Sequence, residues 1–118
     1  MNCISNESDF KLLVKFKDTT QTVVNPLDFE WDLLYYTIPE IPFIASHKLP
    51  PQVGEDHILT PNIVILDDWT IEVRVDNFNF CKKGELKYVT KFYFKNPDFK
   101  DGIQTIIIPE QPVNILIV

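Results

Sequence analysis

The 118-residue sequence contains few of the residues that form disulfides, bind metals or allow sharp turns in small domains. It contains two cysteines, two histidines, one methionine and three glycines. Cys3 and Cys81 stand in no metal-ligand or redox spacing, and nothing in the sequence indicates an oxidising compartment. We therefore expect two free thiols and no bound metal. A chain of this length can bury roughly two-thirds of its unfolded surface and needs no such staple.

Basic residues are also in the minority. Eleven Lys and Arg face seventeen Asp and Glu, which gives a formal net charge of −6 at pH 7. A protein that binds nucleic acid through phosphates is expected to be basic, so this balance argues against a nucleic-acid partner.

Long apolar runs are missing. The longest, at residues 106–108 and 115–118, are far too short to span a bilayer, so we expect no membrane partner. Residues 1–8 have neither a basic start nor an apolar stretch, so they do not form a secretory signal. We predict a flexible leader over residues 1–9 and a single domain over residues 10–118.

The apolar pattern has a period of two almost everywhere, which is typical of half-buried strands. Nine prolines set most of the boundaries, and residues 39–61 are predicted to be a long proline-rich connection. The predicted strands are 10–17, 29–36, a short edge strand at 43–46, 63–66, 69–76, 86–95, 103–108 and 113–118.

Seven or eight short strands without an amphipathic helix predict an all-β fold, an antiparallel β-sandwich. We expect the immunoglobulin-like version, on strand count alone, because there is no Cys–Trp–Cys pin. The predicted buried centre consists of Phe29, Trp31, Leu33, Trp69, Ile71, Val73, Leu86, Tyr88 and Phe92.

Catalytic signatures are absent from the sequence. There is no glycine-rich phosphate loop, nucleophile elbow or zinc-binding histidine pair on a helix. His47 and His57 lie ten residues apart, each without a second ligand near it in sequence, and are interpreted as surface-loop residues. An acid–base group at Glu55-Asp56-His57 and a calcium site at Asp67, Asp68 and Asp76 are the less favoured alternatives. We predict no catalytic residue, no cofactor and no enzyme.

Aromatic residues are the other candidates for a binding site. Trp31 and Tyr35 share the parity of the predicted core, which leaves Tyr36 as the exposed ring of that strand. Phe78 and Phe80 stand in a predicted loop, where apolar rings either plug the end of a sandwich or touch a partner.

Four segments, taken in order, resemble an N-terminal β-domain of virion proteins from phages of Bacteroidetes, including the crAss-like phages. They are residues 13–18 (LVKFKD), 25–37 (NPLDFEWDLLYYT), 84–87 (GELK) and 96–103 (NPDFKDGI). The sequence departs from those proteins in its proline-rich middle and in ending at Val118, where they continue into a shaft or repeat region.

The resemblance implies a non-enzymatic structural component of a virion: a head-fibre, decoration or fibre-attachment protein made in the bacterial host cytoplasm. Its expected partners are other copies of itself and capsid or other virion proteins. The alternative is a small carbohydrate-binding module that uses Tyr36.

The last two predicted strands are apolar at both parities, which implies a neighbour on each face. Either another molecule covers them or the 39–61 connection folds over their outer face. Each apolar side chain left exposed forgoes about 1.5–3 kcal/mol of burial. The predicted partner or oligomer interface consists of Tyr36, Phe78, Phe80, Ile106, Ile108, Leu116 and Val118.

Overall fold

The computed structural model describes residues 2–17, 20, 24–50, 52, 54–67 and 70–118. In that part of the chain the regular elements are nine strands and one 3₁₀ turn at Lys100–Gly102, and no helix there is long and apolar enough to cross a membrane. The strands are β1 (Asn2–Ile4), β2 (Phe10–Lys15), β3 (Glu30–Tyr36), β4 (Phe43–Lys48), β5 (Ile58–Leu59), β6 (Ile63–Ile65), β7 (Thr70–Val75), β8 (Gly84–Lys95) and β9 (Ile103–Ile117).

The strands form two sheets of a β-sandwich. The large sheet has the order β1-β9-β8-β3-β4-β5 and the small sheet the order β2-β7-β6. This is the order of a variable-type immunoglobulin sandwich, in which β2-β7-β6 take the places of strands B, E and D and β9-β8-β3-β4-β5 those of G, F, C, C′ and C″. The all-β sandwich predicted from the sequence is confirmed. Its pairing is not purely antiparallel, because β1 runs parallel to β9.

The core between the sheets is centred on Trp31 of β3, which has no exposed surface. Its ring centroid lies 5.0 Å from that of Phe16, and its Nε1–H donates to the carbonyl oxygen of Pro26 at 2.8 Å. In antibody domains a buried tryptophan on strand C packs on an inter-sheet disulfide. Here the ring of Phe16, directly after β2, takes that place, so the core has the tryptophan without the disulfide.

The predicted buried centre is largely correct. Five of its members are fully buried: Trp31, Leu33, Ile71, Val73 and Leu86. Phe29, Tyr88 and Phe92 are partly buried and pack against the same cluster. Trp69 lies outside the described residues.

The predicted flexible leader is wrong for residues 2–4, which pair with residues 115–117 of β9. The segment is held further by Asn6, whose side chain donates to the carbonyl oxygen of Phe80 at 3.1 Å and accepts from its N–H at 3.0 Å. Sequence polarity indicated a fraying end, but these backbone and side-chain bonds satisfy its polar groups in the fold.

The 39–61 connection is also more ordered than predicted. It contains β4 and β5, and β4 lies between β3 and β5 rather than at an edge. This places both strands at the end of the large sheet remote from β9, so β4 and β5 are not the cover suggested for the last strands.

The two predicted last strands are one strand, β9. Pro109 and Pro112 were expected to separate them, since proline cannot donate to a ladder. Both fall where the β8–β9 register shifts, and Asn114 has a positive φ of 65° there. A bulged strand near the sheet edge accommodates these residues without ending.

Candidate functional site: the open side of the sandwich

One side of the sandwich is incompletely covered, where β9 and β8 extend beyond the small sheet. Phe92 pairs with both Trp31 and Ile106, and Thr90 with Leu33 and Ile108, so these residues share the inner face of the large sheet. Trp31 and Leu33 have no exposed surface, whereas Ile106 retains 38% of its own. The inner face is therefore sealed over β3 and open over the first half of β9.

An apolar groove of about 450 Å³ occupies this gap. Four phenylalanines and two isoleucines supply most of its wall, with charged residues at its rim. It is lined by Phe16, Lys17, Val24, Asp28, Phe29, Phe92, Phe94, Ile106 and Ile108.

A second depression, of about 260 Å³, lies along β2 itself. Leu12–Lys15 form one wall, and inner-face residues of the large sheet, including Tyr88 and Val113, form the other. Tyr88 and Phe92 stand on the same face of β8, four residues apart, so the two depressions follow one another along β8. We call them together the β2 groove.

Two strand edges border the β2 groove. Within the described residues, β2 pairs only with β7, and β9 pairs only with β8 between residues 103 and 113. Each strand therefore has a row of backbone N–H and C=O groups that faces away from its partner and is able to pair with another chain. The edge of β9 is apolar on both faces, since Ile107 on the outer face is 57% exposed.

The structure divides the predicted interface residues among four places. Ile106 and Ile108 face the β2 groove. Leu116 and Val118 do not join them: Leu116 pairs with outer-face Glu85, because the register shifts after Ile108 change the parity of β9. Leu116 is half-buried between β1 and β8, and Val118 is 43% exposed at the end of the strand.

Tyr36 was predicted to be exposed, and this is wrong. Its side chain is 6% exposed, and its hydroxyl donates to the Glu110 carboxylate. Burial, with the hydrogen bond to Glu110, raises the pKa of Tyr36 to about 12. The Glu110 carboxylate also lies 3.4 Å from the Lys87 ammonium. Tyr36, Lys87 and Glu110 thus form a polar cluster that connects β3, β8 and β9, and the Tyr36 ring presents no open face to a ligand.

Phe78 and Phe80 form a plug at one end of the sandwich, which is one of the two interpretations of this loop given by the sequence. Phe80 is 1% exposed, and its ring centroid lies 4.8 Å from that of Phe78 and 6.4 Å from that of Phe10. Phe78 in turn contacts Phe43 edge-to-face, with centroids 5.2 Å apart. The two rings close one end of the core, so Phe80 in particular is not an interface residue.

His47 and His57 form a pair, which corrects their interpretation as unrelated loop residues. His47 is 1% exposed on β4, and its Nδ1–H donates to the carbonyl oxygen of Phe29 at 2.7 Å. A carbonyl only accepts, so Nε2 of neutral His47 carries the lone pair that accepts from Nδ1–H of His57 at 2.9 Å. Burial lowers the pKa of the His47 imidazole. The pair ties the segment before β5 to the sheet and leaves His47 no free ring nitrogen.

No group of three or more His, Cys, Asp and Glu side chains capable of holding a metal occurs in the part of the chain that the structure describes. Asp68, one residue of the alternative calcium site, lies outside that part. Cys3 and Cys81 are exposed free thiols.

Sequence patterning pointed to the β9 edge but missed the β2 groove and the histidine pair. Period-two alternation identified Ile106 and Ile108 as inward-facing residues without showing that the small sheet stops short of them. The histidine pair depends on the β4–β5 pairing, in which His47 lies opposite Leu59. No local sequence signal marks either feature.

Comparisons with protein-family models, with curated proteins and with solved structures found no match to this chain.

Proposed function

We propose that this chain is a non-enzymatic structural component of a phage virion, a head-fibre, decoration or fibre-attachment protein. It acts by associating with copies of itself and by docking to capsid or tail proteins. The resemblance of residues 13–18, 25–37, 84–87 and 96–103 to virion β-domains suggests the particle. The open edge of β9 suggests the mode of action.

The observation that carries the proposal is the composition of that edge. Residues 103–109 (IQTIIIP) contain no charge, and the edge is bordered by inner-face Ile106 and outer-face Ile107. Proteins commonly protect open edges with lysine or an inward-pointing charge, and an uncharged apolar edge favours pairing with another strand. Self-association through β9 buries outer-face Ile103 and Ile107 at the same time as it satisfies the edge.

The alternative, a carbohydrate-binding module, depended on an exposed Tyr36, and Tyr36 is buried. A sugar stacks on an exposed aromatic face, whereas Tyr36 is buried and tied to Glu110. Tyr93 on the same outer face donates its hydroxyl to Asp32 at 2.7 Å. We therefore favour the structural role.

Light scattering coupled to size-exclusion chromatography tests the association. The wild-type protein is expected to form oligomers at tens of micromolar, and Ile107→Lys to shift it to monomer, because a lysine on the edge opposes strand pairing. Ile44→Lys is the matched control: Ile44 is 49% exposed on β4, which has strands on both sides. A monomeric wild type, or equal effects of both variants, contradicts association through β9.

Mass spectrometry of purified particles tests the virion assignment separately. The protein is expected to co-sediment with particles at a fixed ratio to the capsid protein and to remain after a high-salt wash. Its absence from washed particles, with the protein present in the infected-cell lysate, contradicts a structural role.

A further inference from the structure

We propose that the β2 groove binds an extended segment of a partner protein, which adds a fourth strand to the small sheet beside β2. The segment carries apolar side chains at alternate positions and a carboxylate where it passes Lys15. This is a second binding surface, beyond the self-association proposed for the edge of β9.

Compared with an immunoglobulin sandwich, the described part of the small sheet lacks a strand beside β2. In immunoglobulin sandwiches the sheet with strands B, E and D also contains strand A, next to B. Here the first strand, β1, pairs with β9 in the other sheet, and among the described residues β2 is left at the edge of a three-stranded sheet. The place beside β2, over the inner face of β9, is the groove.

Both walls of the groove fit a strand. The free edge of β2 supplies backbone donors and acceptors over six residues, which at about 3.3 Å per residue is about 20 Å. Opposite it, Tyr88, Phe92 and Ile108 offer an apolar floor. A bound strand directs every second side chain to this floor and buries surface such as the exposed 38% of Ile106.

The charges at the rim of the groove favour acidic residues at the outward-facing positions of the bound segment. Lys15 on the outer face of β2 and Lys17 beyond its end are exposed, and neither belongs to an ion pair among the described residues. Lys11, by contrast, already faces Glu72 at 3.7 Å. Cross-strand pairs of opposite charge stabilise neighbouring strands, so a carboxylate next to Lys15 fits best.

The probe is a capped, dye-labelled six-residue peptide with isoleucine at every second position and glutamate between. Its control has the same composition in two blocks, with the glutamates first. Fluorescence anisotropy with the full chain is expected to show saturable binding of the alternating peptide with a dissociation constant below about 1 mM and weaker binding of the block peptide. Hydrogen exchange is expected to slow at β2 amides that point away from β7.

Two variants locate the site. Ile108→Asp is expected to weaken binding at least about tenfold, because the strand would bury an unpaired carboxylate. Lys15→Glu is expected to weaken it through like-charge repulsion without altering the floor. Ile44→Asp, on the outer face of β4, is expected to bind like the wild type. Circular dichroism verifies that each variant is folded.

Several results would overturn the proposal. They are no saturable binding up to about 1 mM, equal binding of the two peptides, unchanged binding by both site variants, or slowed exchange at β9 without any change at β2. Oligomerisation through Ile107 is measured without the peptide, so either surface can fail while the other stands.

Discussion

Trp31→Ala is the sharpest test of the core described above. The side chain has no exposed surface and contacts Phe16, directly after β2, and His47 from β4, with ring centroids 5.0 Å and 5.9 Å from its own. It therefore joins the two sheets and two strands of the large sheet. Removing it leaves a cavity at the point where these elements meet.

The expected cost follows from this burial. Replacing a buried tryptophan with alanine costs about 3–5 kcal/mol. The substitution also removes the donor to the Pro26 carbonyl oxygen, and an unsatisfied buried acceptor adds about 1–3 kcal/mol when no water replaces the donor. Because small domains are stable by only about 5–15 kcal/mol, the variant should be at or near the limit of folding.

Urea unfolding followed by far-ultraviolet circular dichroism measures the change. Trp31→Phe retains a ring but loses the hydrogen bond, and its free energy of unfolding is expected to lie between those of the wild type and the alanine variant. Phe99→Ala is the control, since Phe99 is 48% exposed in the turn before β9 and its loss should cost less than about 0.5 kcal/mol. If Trp31→Ala costs no more than Phe99→Ala, the sandwich core is assigned incorrectly.

Three further predictions concern stability. Burial lowers the pKa of His47, so the unfolded chain binds a proton at this imidazole more readily than the folded chain does. The contribution of neutral His47 to the free energy of unfolding is therefore complete above the ordinary histidine pKa of about 6.5. Below that pH it declines by up to about 1.4 kcal/mol per pH unit. Urea titrations at pH 7 and pH 5 should show a smaller loss for His47→Gln than for the wild type, and equal losses would refute this. Asn6→Ala should lower the free energy of unfolding by about 1–3 kcal/mol, because Asn6 forms hydrogen bonds with both polar backbone groups of Phe80. Asn79→Ala removes a single exposed hydrogen bond and should cost less. The reverse order in urea unfolding would contradict the anchoring of residues 2–6. EDTA should leave the melting temperature unchanged in a thermal scan, and a drop would reveal a stabilising metal.

Local sequence signals determined most of the strands and most of the core. Alternation of apolar and polar residues reports which side chains share a face, because the side-chain period of a strand is two. It identified the inward-facing residues of β3 and β7, including Trp31 and Ile71. It also placed Ile106 and Ile108 on one face of their strand, and tertiary structure did not change that.

Local signals failed where a contact joins residues distant in sequence. The polarity of residues 1–9 suggested a leader, but parallel pairing of β1 with β9 joins the two ends of the described chain. Tyr36 follows the outward parity of its strand and is buried all the same, since Glu110 and Lys87 from neighbouring strands surround its hydroxyl. His47 and His57 meet only because β4 and β5 pair.

The open side of the sandwich was decided by tertiary structure alone. Sequence patterning reports that a strand has an apolar face, but it does not report how far the opposite sheet extends over that face. Here β1 joins β9 instead of β2, so the small sheet, as far as the structure describes it, ends at β2 and the inner face near Ile106 is left open. The sequence by itself determined which residues alternate and which face they share, whereas strand order, a property of long-range pairing, decided which of those faces is covered.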